Sequence, residues 1–156
     1  MLIIKYNSKY RDDMIFIVLQ AKNALGRIPR LNEDLLDIEN YYFLIGDMFW
    51  LAIDENDRVI GCIGTKTAGE HEMWLKRLYV KASLKRNGIG GQLLKAAEIY
   101  ASSKGITDVY TRFSKDYVEA QNFYSKNGFT EIAPYEMVKH LMQEKNILCG
   151  NNQVWF

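Results

Sequence analysis

The spacing of apolar residues along the first half of the chain predicts two helices between short strands. An apolar run over residues 2–6 predicts a first strand, and apolar residues at helical spacing predict a helix from Ser8 to Leu25. Asn32 is a suitable N-cap for a second helix, which we expect to end near Phe43. Three β-rich runs then predict an antiparallel meander, over residues 49–53, 59–66 and 73–80.

The second half of the chain begins with a helical period and ends in strands. A helix that opens near Gly88 is stopped by Gly105. Four shorter elements follow, a strand over residues 107–112, a helix over 116–126 and strands over 129–133 and 137–141. The strands on either side of the Gly88 helix are joined by a crossover and are therefore expected to be parallel. We predict one domain over residues 1–156, of α/β (α+β) class with the order βααβββαβαββ, and leave the tail over 142–156 unassigned.

Composition and charge narrow the class of function. The 156 residues are 48% apolar and 25% charged, which is typical of a folded globular domain. With 20 basic and 19 acidic residues the net charge is +1, so we expect neither nucleic acid nor a membrane as a partner. No apolar run resembles a membrane span or a signal peptide, which predicts a cytoplasmic protein. Cys62 and Cys149 lack CxxC spacing and a nearby His, so we expect unpaired thiols and no metal site.

The segment between the meander and the next helix carries the candidate chemistry. Gly88, Gly90 and Gly91 cluster where a helix N-terminus leaves backbone N–H groups without intrahelical partners. Glycines let a backbone approach a ligand closely, and the N–H groups together with the helix dipole favour an anion. Lys85 and Arg86 add positive charge beside them. The natural ligand of this segment is a phosphate or pyrophosphate.

Two common nucleotide-binding motifs are not matched by this segment. The chain contains no GxxxxGK[ST], and a GxGxxG motif would need a glycine where Leu93 stands. A nucleotide-binding protein is therefore only a third hypothesis, which predicts a preference for ATP or NAD.

The same segment resembles the GNAT superfamily of acyl-CoA-dependent N-acetyltransferases. The family signature V-x-P-x-x-[QR]-x-x-G-x-[GA] aligns with VKASLKRNGIG from Val80, with Ala82 in place of Pro and Lys85 in place of Arg or Gln. Lysine keeps the positive charge that a pyrophosphate needs, without the guanidinium fork. A second family motif, N-x-x-A-x-x-F-Y-x-x-x-G-F, aligns with AQNFYSKNGF over residues 120–129, and Tyr117 occupies its Asn position.

The resemblance covers residues 75–129 in detail and nearly the whole chain in element order. It implies a GNAT-like mixed, mostly antiparallel twisted sheet of about seven strands with a central parallel pair, flanked by about four helices. It also implies direct transfer of an acetyl group from acetyl-CoA to an amine, without a metal. The two parallel strands would splay around the pantetheine arm, and an N–H near Leu78 would polarise the thioester carbonyl. The cofactor-binding residues implied are Leu78, Tyr79, Val80, Lys85, Arg86, Asn87, Gly88, Ile89, Gly90 and Gly91.

Two residues are the predicted catalytic groups. Tyr124 matches the tyrosine of the second motif, and a phenol can protonate the leaving thiolate at modest cost. Many family members place Glu six residues before the Val of the signature, where this chain has Trp74. Glu72, which strand alternation places on the same face, is the predicted replacement base, with His71 as an alternative. Both also fit the solvated end of a hairpin.

We therefore predict an N-acetyltransferase that acts on a primary amine of an unidentified small molecule or peptide. A small molecule is favoured because no peptide-docking segment is evident. Four aromatic residues are candidates for the acceptor site and equally for the core, namely Tyr41, Tyr42, Phe43 and Trp50. The alternative is a non-catalytic acyl-CoA-binding sensor, which the absence of Glu at Trp74 favours and Tyr124 opposes. A homodimer through Trp155 and Phe156 is compatible with the sequence.

Overall fold

The computed structural model describes residues 1–142 and shows one mixed sheet with helices on both faces. The strands are β1 (Leu2–Lys5), β2 (Phe49–Ile53), β3 (Val59–Thr67), β4 (Glu72–Val80), β5 (Asp108–Arg112), β6 (Thr130–Ala133) and β7 (Glu136–His140). The α-helices are α1 (Arg11–Ala24), α2 (Ile38–Tyr41), α3 (Ile89–Ser103) and α4 (Ala120–Lys126). Short 3-10 turns lie at Ser8–Tyr10, Glu33–Leu36, Phe43–Ile45 and Ala82–Leu84. Within this part of the chain, none of the helices combines the length and apolarity needed to cross a bilayer.

The seven strands lie in the order β1-β2-β3-β4-β5-β7-β6. β4 and β5 pair in parallel across the centre of the sheet, and the other neighbouring strands pair antiparallel. The crossover between β4 and β5 contains α3, as expected for a parallel connection. This topology confirms the predicted fold class, a mostly antiparallel sheet of seven strands with a central parallel pair and four helices.

Two apolar clusters hold the helices on the sheet. On one face, α3 buries Leu93 and Leu94 against a cluster that includes Met73 of β4 and Tyr124 of α4. On the other face, α1 packs against β3 and β4 and buries Met14 completely. All five residues of β2 are buried, which agrees with its continuous apolar run.

The segment between α1 and β2 does not form the single helix predicted from Asn32 to Phe43, so that prediction is wrong. Asp37 has φ −146° and ψ 68°, which ends the 3-10 turn before it, and its side chain accepts a hydrogen bond from the N–H of Asn40 at 3.2 Å. Asn32 makes no side-chain cap bond in the described structure. A short acidic side chain that accepts a hydrogen bond from a nearby backbone N–H competes with a continuous helix, and the pattern of apolar residues does not show this competition.

The helix α4 begins at Ala120 and not at Asp116 as predicted. Before it, the N–H of Asp116 donates to the Ser114 hydroxyl at 3.3 Å and the N–H of Tyr117 to the Ser114 carbonyl at 2.9 Å. These local bonds form a turn where a helix was expected. The proposed interface residues Trp155 and Phe156 and the thiol of Cys149 lie outside the described residues.

Candidate functional site

The parallel ladder between β4 and β5 is short, and the two strands then diverge. The pairing ends at Trp74 and Tyr110. Beyond these residues β4 remains paired with β3 as far as Val80, and β5 remains paired with β7 as far as Arg112. The edge of β4 that follows Trp74 therefore faces a wedge between the two strands, which we call the β4–β5 wedge.

A bulge at Arg77 turns the backbone of β4 where it lines this wedge. Arg77 adopts φ +55°, and β4 gains one residue against β3 at this point. Beyond the bulge Leu78 and Val80 pack on the α3 side of the sheet, while Tyr79 packs on the α1 side. The thiol of the buried Cys62 donates to the Arg77 carbonyl at 3.2 Å. Bulges of this kind re-aim a strand, and this one lies at the residues implied for the pantetheine arm.

Asp34 holds the bulge from the turn that follows α1. The Nε and Nη2 atoms of Arg77 donate to the two carboxylate oxygens of Asp34, both at 3.0 Å, and the Tyr42 hydroxyl donates to Oδ2 at 2.6 Å. Burial acts to raise the pKa of the Asp34 carboxyl, but the hydrogen bonds from Arg77 and Tyr42 outweigh it and hold that pKa below its usual value. A charged Asp34 thus ties the segment between α1 and α2 to β4.

Replacing Asp34 by Asn is expected to lower the free energy of unfolding by about 2 kcal/mol near neutral pH, because charged hydrogen bonds in a half-buried position are lost. The pKa of Asp34 is lowered in the folded state, so its stabilisation is present above the unfolded pKa and is lost as pH falls through the folded pKa. Urea unfolding should therefore show a difference in the free energy of unfolding between the parent protein and Asp34→Asn that is smaller at acid pH than at neutral pH. Asp12→Asn, at a side chain that is 91% exposed, is the control. An equal loss at both pH values would contradict this role of Asp34.

The turn between β4 and α3 presents backbone N–H groups at the end of the wedge. Arg86 and Gly88 both adopt left-handed conformations, with φ +70° and +77°. α3 begins at Ile89, and no described side chain caps its first turn. The first intrahelical bond runs from the N–H of Gln92 to the Gly88 carbonyl at 3.1 Å, so the N–H groups of residues 89–91 have no intrahelical acceptor. Together with the dipole of a 15-residue helix, they form a site for an anion.

Side chains beside this turn supply positive charge. Lys85 lies with its Nζ 5.5 Å from the ring centroid of Tyr117, and Arg86 reaches Glu119 at 3.2 Å in an exposed ion pair. Asn87 donates from its side chain to a backbone carbonyl of the same turn and so fixes the loop. These three side chains lie in one turn with Gly88, Gly90 and Gly91, and their role in binding a pyrophosphate stays a prediction.

Tyr124 is buried below the wedge on α4. Its ring stacks on Phe113 with centroids 5.9 Å apart and meets Phe123 and Phe129 edge-on. Burial raises the pKa of Tyr124 to about 12, although a hydrogen bond with the Thr111 side chain opposes this rise. The hydroxyl is therefore protonated at neutral pH, with the Thr111 side chain beside it. Thr111 carries no motif, so the sequence did not indicate this second residue.

Glu72 and His71 lie at the opposite end of β4 from the bulge. Glu72 is exposed at the first residue of the strand, and His71 lies 3.2 Å from the Gly105 carbonyl through Nδ1. Six residues of extended strand separate Glu72 from Leu78, which is about 20 Å. Glu72 is therefore far from the position that the resemblance implies for the thioester, and alternation along the strand could not have shown this because it gives the face and not the distance.

The aromatic candidates for the acceptor site divide between core and surface. Tyr42 and Trp50 are buried, Phe43 is half-buried against both clusters, and Tyr41 is exposed. Tyr42 acts on the site through Asp34 and not through direct exposure to the wedge. The core explanation therefore holds for Tyr42 and Trp50.

Comparison with known proteins assigns this geometry to a family. The model of the acetyltransferase (GNAT) domain matches residues 46–131, which is more than half of the chain and contains both the wedge and the glycine turn. The chain belongs to the GNAT acetyltransferase family, as its resemblance had implied.

Individual relatives agree with this assignment. A probable N-acetyltransferase 14 of Xenopus tropicalis is 30% identical over 97 residues, which are 62% of this chain and 45% of that protein. The chain spans less than half the length of the curated relatives that it matches. A GNAT-family acetyltransferase of Staphylococcus aureus superposes with a TM-score of 0.82 at 28% identity and covers 90% of this chain and 99% of its own. An aminoglycoside 6'-N-acetyltransferase complexed with coenzyme A has a TM-score of 0.71 at 18% identity, over 94% of this chain and 100% of its own.

Proposed function

We propose that this chain is an N-acetyltransferase that binds acetyl-CoA in the β4–β5 wedge and transfers the acetyl group to a primary amine of a small molecule or peptide. The observation that carries the proposal is the position of the wedge directly beside the glycine turn at the start of α3. The open edge of β4, which can bind amides, is thus followed along the chain by the N-terminus of α3, which can bind phosphates. The structural likeness to an enzyme solved with coenzyme A supports the same ligand.

The residues around the wedge fit such a ligand. Backbone groups of residues 78–80 face the wedge and would bind the pantetheine amides, and the N–H groups of residues 89–91 would hold the pyrophosphate. A Cβ added at Gly88 would meet no atom within 4 Å, so the space beside the turn is open to a ligand. Lys85 and Arg86 would add charge at its rim. When bound, acetyl-CoA supplies an activated acyl thioester.

Tyr124 is the proposed general acid. Its phenol is protonated, and Thr111 is placed to stabilise the phenolate that remains after a proton is donated. Because burial raises the pKa of Tyr124 to about 12, donation to a free thiolate, whose thiol has a pKa of about 8.5, is unfavourable in itself. Burial of the leaving sulfur would raise the pKa of the thiol and so reduce this cost.

The acceptor amine has to lose a proton before it attacks. For an amine with the pKa of lysine this costs about 4–5 kcal/mol at neutral pH. Glu72 can act as the proposed base only through a chain of water, because its carboxylate lies far along β4 from Leu78. Direct deprotonation by Glu72 is therefore not part of this proposal.

Calorimetric titration with acetyl-CoA tests the proposed function. We expect binding in the micromolar range for acetyl-CoA and CoA, no comparable binding of ATP or NAD, and release of the CoA thiol when an accepted amine is added. Preference for ATP or NAD would favour the nucleotide-binding hypothesis. Folded protein that binds neither acetyl-CoA nor CoA would overturn the proposal.

A further inference from the structure

The sheet face on the side of the wedge away from α3 carries aromatic and cationic side chains. Lys66, Trp74 and Tyr110 are direct partners across β3, β4 and β5 and so lie on one face. Trp74 stacks on Tyr110 with ring centroids 5.1 Å apart, and the guanidinium of Arg112 lies 5.1 Å above the Trp74 ring. Lys76 and Arg112 are the next residues of their strands on this face, immediately beyond the end of the β4–β5 ladder.

Further cations join this face from the other side of the bulge. Arg77 lies close enough to Lys76 and to Lys22 for its charge to lower the pKa of both, in addition to the lowering by burial. Arg27 lies near Lys22 and pairs with Asp116 at 3.3 Å. The Nη2 atom of Arg27 is buried and has no hydrogen-bond partner among residues 1–142. We call these five cations, Lys22, Arg27, Lys76, Arg77 and Arg112, the cationic rim of the wedge.

Carboxylates neutralise only part of the cationic rim. Asp34 pairs with Arg77, Asp116 with Arg27 and Glu136 with Arg112. Lys22 donates to the neutral carbonyl of Arg30 at 2.8 Å, and Lys76 has no carboxylate within ion-pair distance in the part of the chain that the structure describes. Lys22 is buried and held by this hydrogen bond, whereas Lys76 is exposed on β4, so its charge is available to an anion at the wedge.

We infer that the acceptor of the proposed reaction is an amine that carries a carboxylate or phosphate, and that Lys76 and Arg112 bind this anionic group. The inference rests on the proposed function. Lys76 lies two residues before Leu78, about 7 Å along the strand. An anion held by the side chains of Lys76 and Arg112 thus lies within the length of a small molecule of the position implied for the thioester, which suits a small amine whose anionic group is a few bonds from the nitrogen, such as an amino acid or an amino-alkyl phosphate.

The cationic rim also acts on the amine itself. Like charges disfavour the ammonium form, so an amine that enters among Lys76, Arg77 and Arg112 loses its proton more readily than in water. The same charges repel acceptors with several ammonium groups. Polyamines and aminoglycosides are therefore poor acceptors here, in contrast to what the structurally similar aminoglycoside acetyltransferase takes.

Matched pairs of amines test the inference on the unchanged 156-residue chain with acetyl-CoA. L-tyrosine is compared with tyramine, and O-phosphoethanolamine with ethanolamine, while spermidine and kanamycin serve as polycations. We expect kcat/KM for at least one anionic member to exceed that of its partner by about tenfold or more, the effect of one charged contact, and to fall with added salt. The first pair reports a carboxylate site and the second a phosphate site. If no amine is turned over, the same amines are titrated calorimetrically into CoA-saturated protein. The anionic member of at least one pair should then bind about tenfold more tightly than its partner.

Substitutions in the cationic rim test whether its residues cause the preference for an anionic amine. Lys76→Gln and Arg112→Gln should each raise KM for the anionic amine about tenfold with little change in kcat or in acetyl-CoA affinity. Lys95→Gln, at an exposed position on α3, is the matched control. Three results would overturn the inference. They are equal kcat/KM for both members of each pair, a higher kcat/KM for spermidine or kanamycin, and a preference for the anionic amine that persists when Lys76→Gln and Arg112→Gln are combined. Because acetyl-CoA affinity is measured separately, these outcomes leave the proposed function intact, whereas loss of acetyl-CoA binding in the unchanged protein overturns that function first.

Discussion

Replacing Gly91 by Glu is expected to weaken acetyl-CoA binding by at least about 100-fold, or 2.7 kcal/mol. The carboxylate would lie in the first turn of α3, beside the N–H groups of residues 89–91 that are proposed to bind the pyrophosphate, and would repel it. Gly91 is the suitable glycine because a Cβ there meets its nearest contact, Asn127, at 4.0 Å. Gly88 has φ +77°, and a Cβ at Gly90 would lie 3.2 Å from the Phe123 ring, so substitutions at those two positions would also disturb the fold.

The fold of the Gly91→Glu protein should be unaffected. A negative side chain in the first turn of a helix is favourable, so the free energy of unfolding should be maintained or slightly increased. Gly69→Glu makes the same change of charge in the turn between β3 and β4, where an added Cβ meets nothing within 4 Å. Calorimetry of both variants with acetyl-CoA measures the effect. Equal affinity in Gly91→Glu and the parent protein would place the pyrophosphate elsewhere.

Replacing Tyr124 by Phe is expected to lower kcat about 100-fold while the affinity for acetyl-CoA stays within about twofold. The phenol supplies a proton in the proposed reaction, whereas the ring packing on Phe113 is kept by phenylalanine. Since burial raises the pKa of Tyr124 to about 12, its deprotonation should not reduce the rate below about pH 11. Steady-state kinetics with an accepted amine and calorimetry with acetyl-CoA separate the two effects.

Two other tyrosines make the Tyr124 experiment decisive. Tyr100 is also buried in the α3 cluster and donates to the Gly46 carbonyl at 2.6 Å, so Tyr100→Phe controls for loss of a buried hydroxyl. Tyr117 lies near Tyr124, half-buried beside Lys85, and burial raises its pKa too. Loss of turnover in Tyr117→Phe but not in Tyr124→Phe would move the acid to Tyr117. Unchanged kcat in both variants would exclude a tyrosine as the acid, whereas acetyl-CoA binding without turnover of any amine by the parent protein would favour the sensor hypothesis.

The parts of the fold that follow from local patterns were predictable. β2 is buried on both faces and reads as one apolar run, and α3 shows a regular helical period, so the sequence identifies both. The glycine turn was also predictable, because the left-handed conformation of Gly88 and the start of α3 depend on residues next to each other in the chain. Structural features that depend on residues close together in the chain can thus be predicted from a single sequence.

The parts of the site that depend on distant partners were not predictable. Asp34 and Arg77 are 43 positions apart, and neither residue type nor spacing indicates that they pair. The bulge at Arg77 shifts the alternation of β4, so the faces of Leu78 and Tyr79 could not be read by counting from Glu72. The cationic rim gathers residues from α1, the following loop, β4 and β5, and the net charge of +1 conceals it.

The short ladder between β4 and β5 makes the sheet two plates joined by a narrow seam. One plate contains the four strands from β1 to β4, the other contains β5, β7 and β6, and three residue pairs join them. With so few paired residues, the angle between the plates depends mainly on the apolar cluster that α3 shares with Met73 of β4, Val109 of β5 and Met137 of β7. A molecule whose amides bonded to the open edge of β4 would extend the seam, so the ligand would become a structural part of the sheet that binds it.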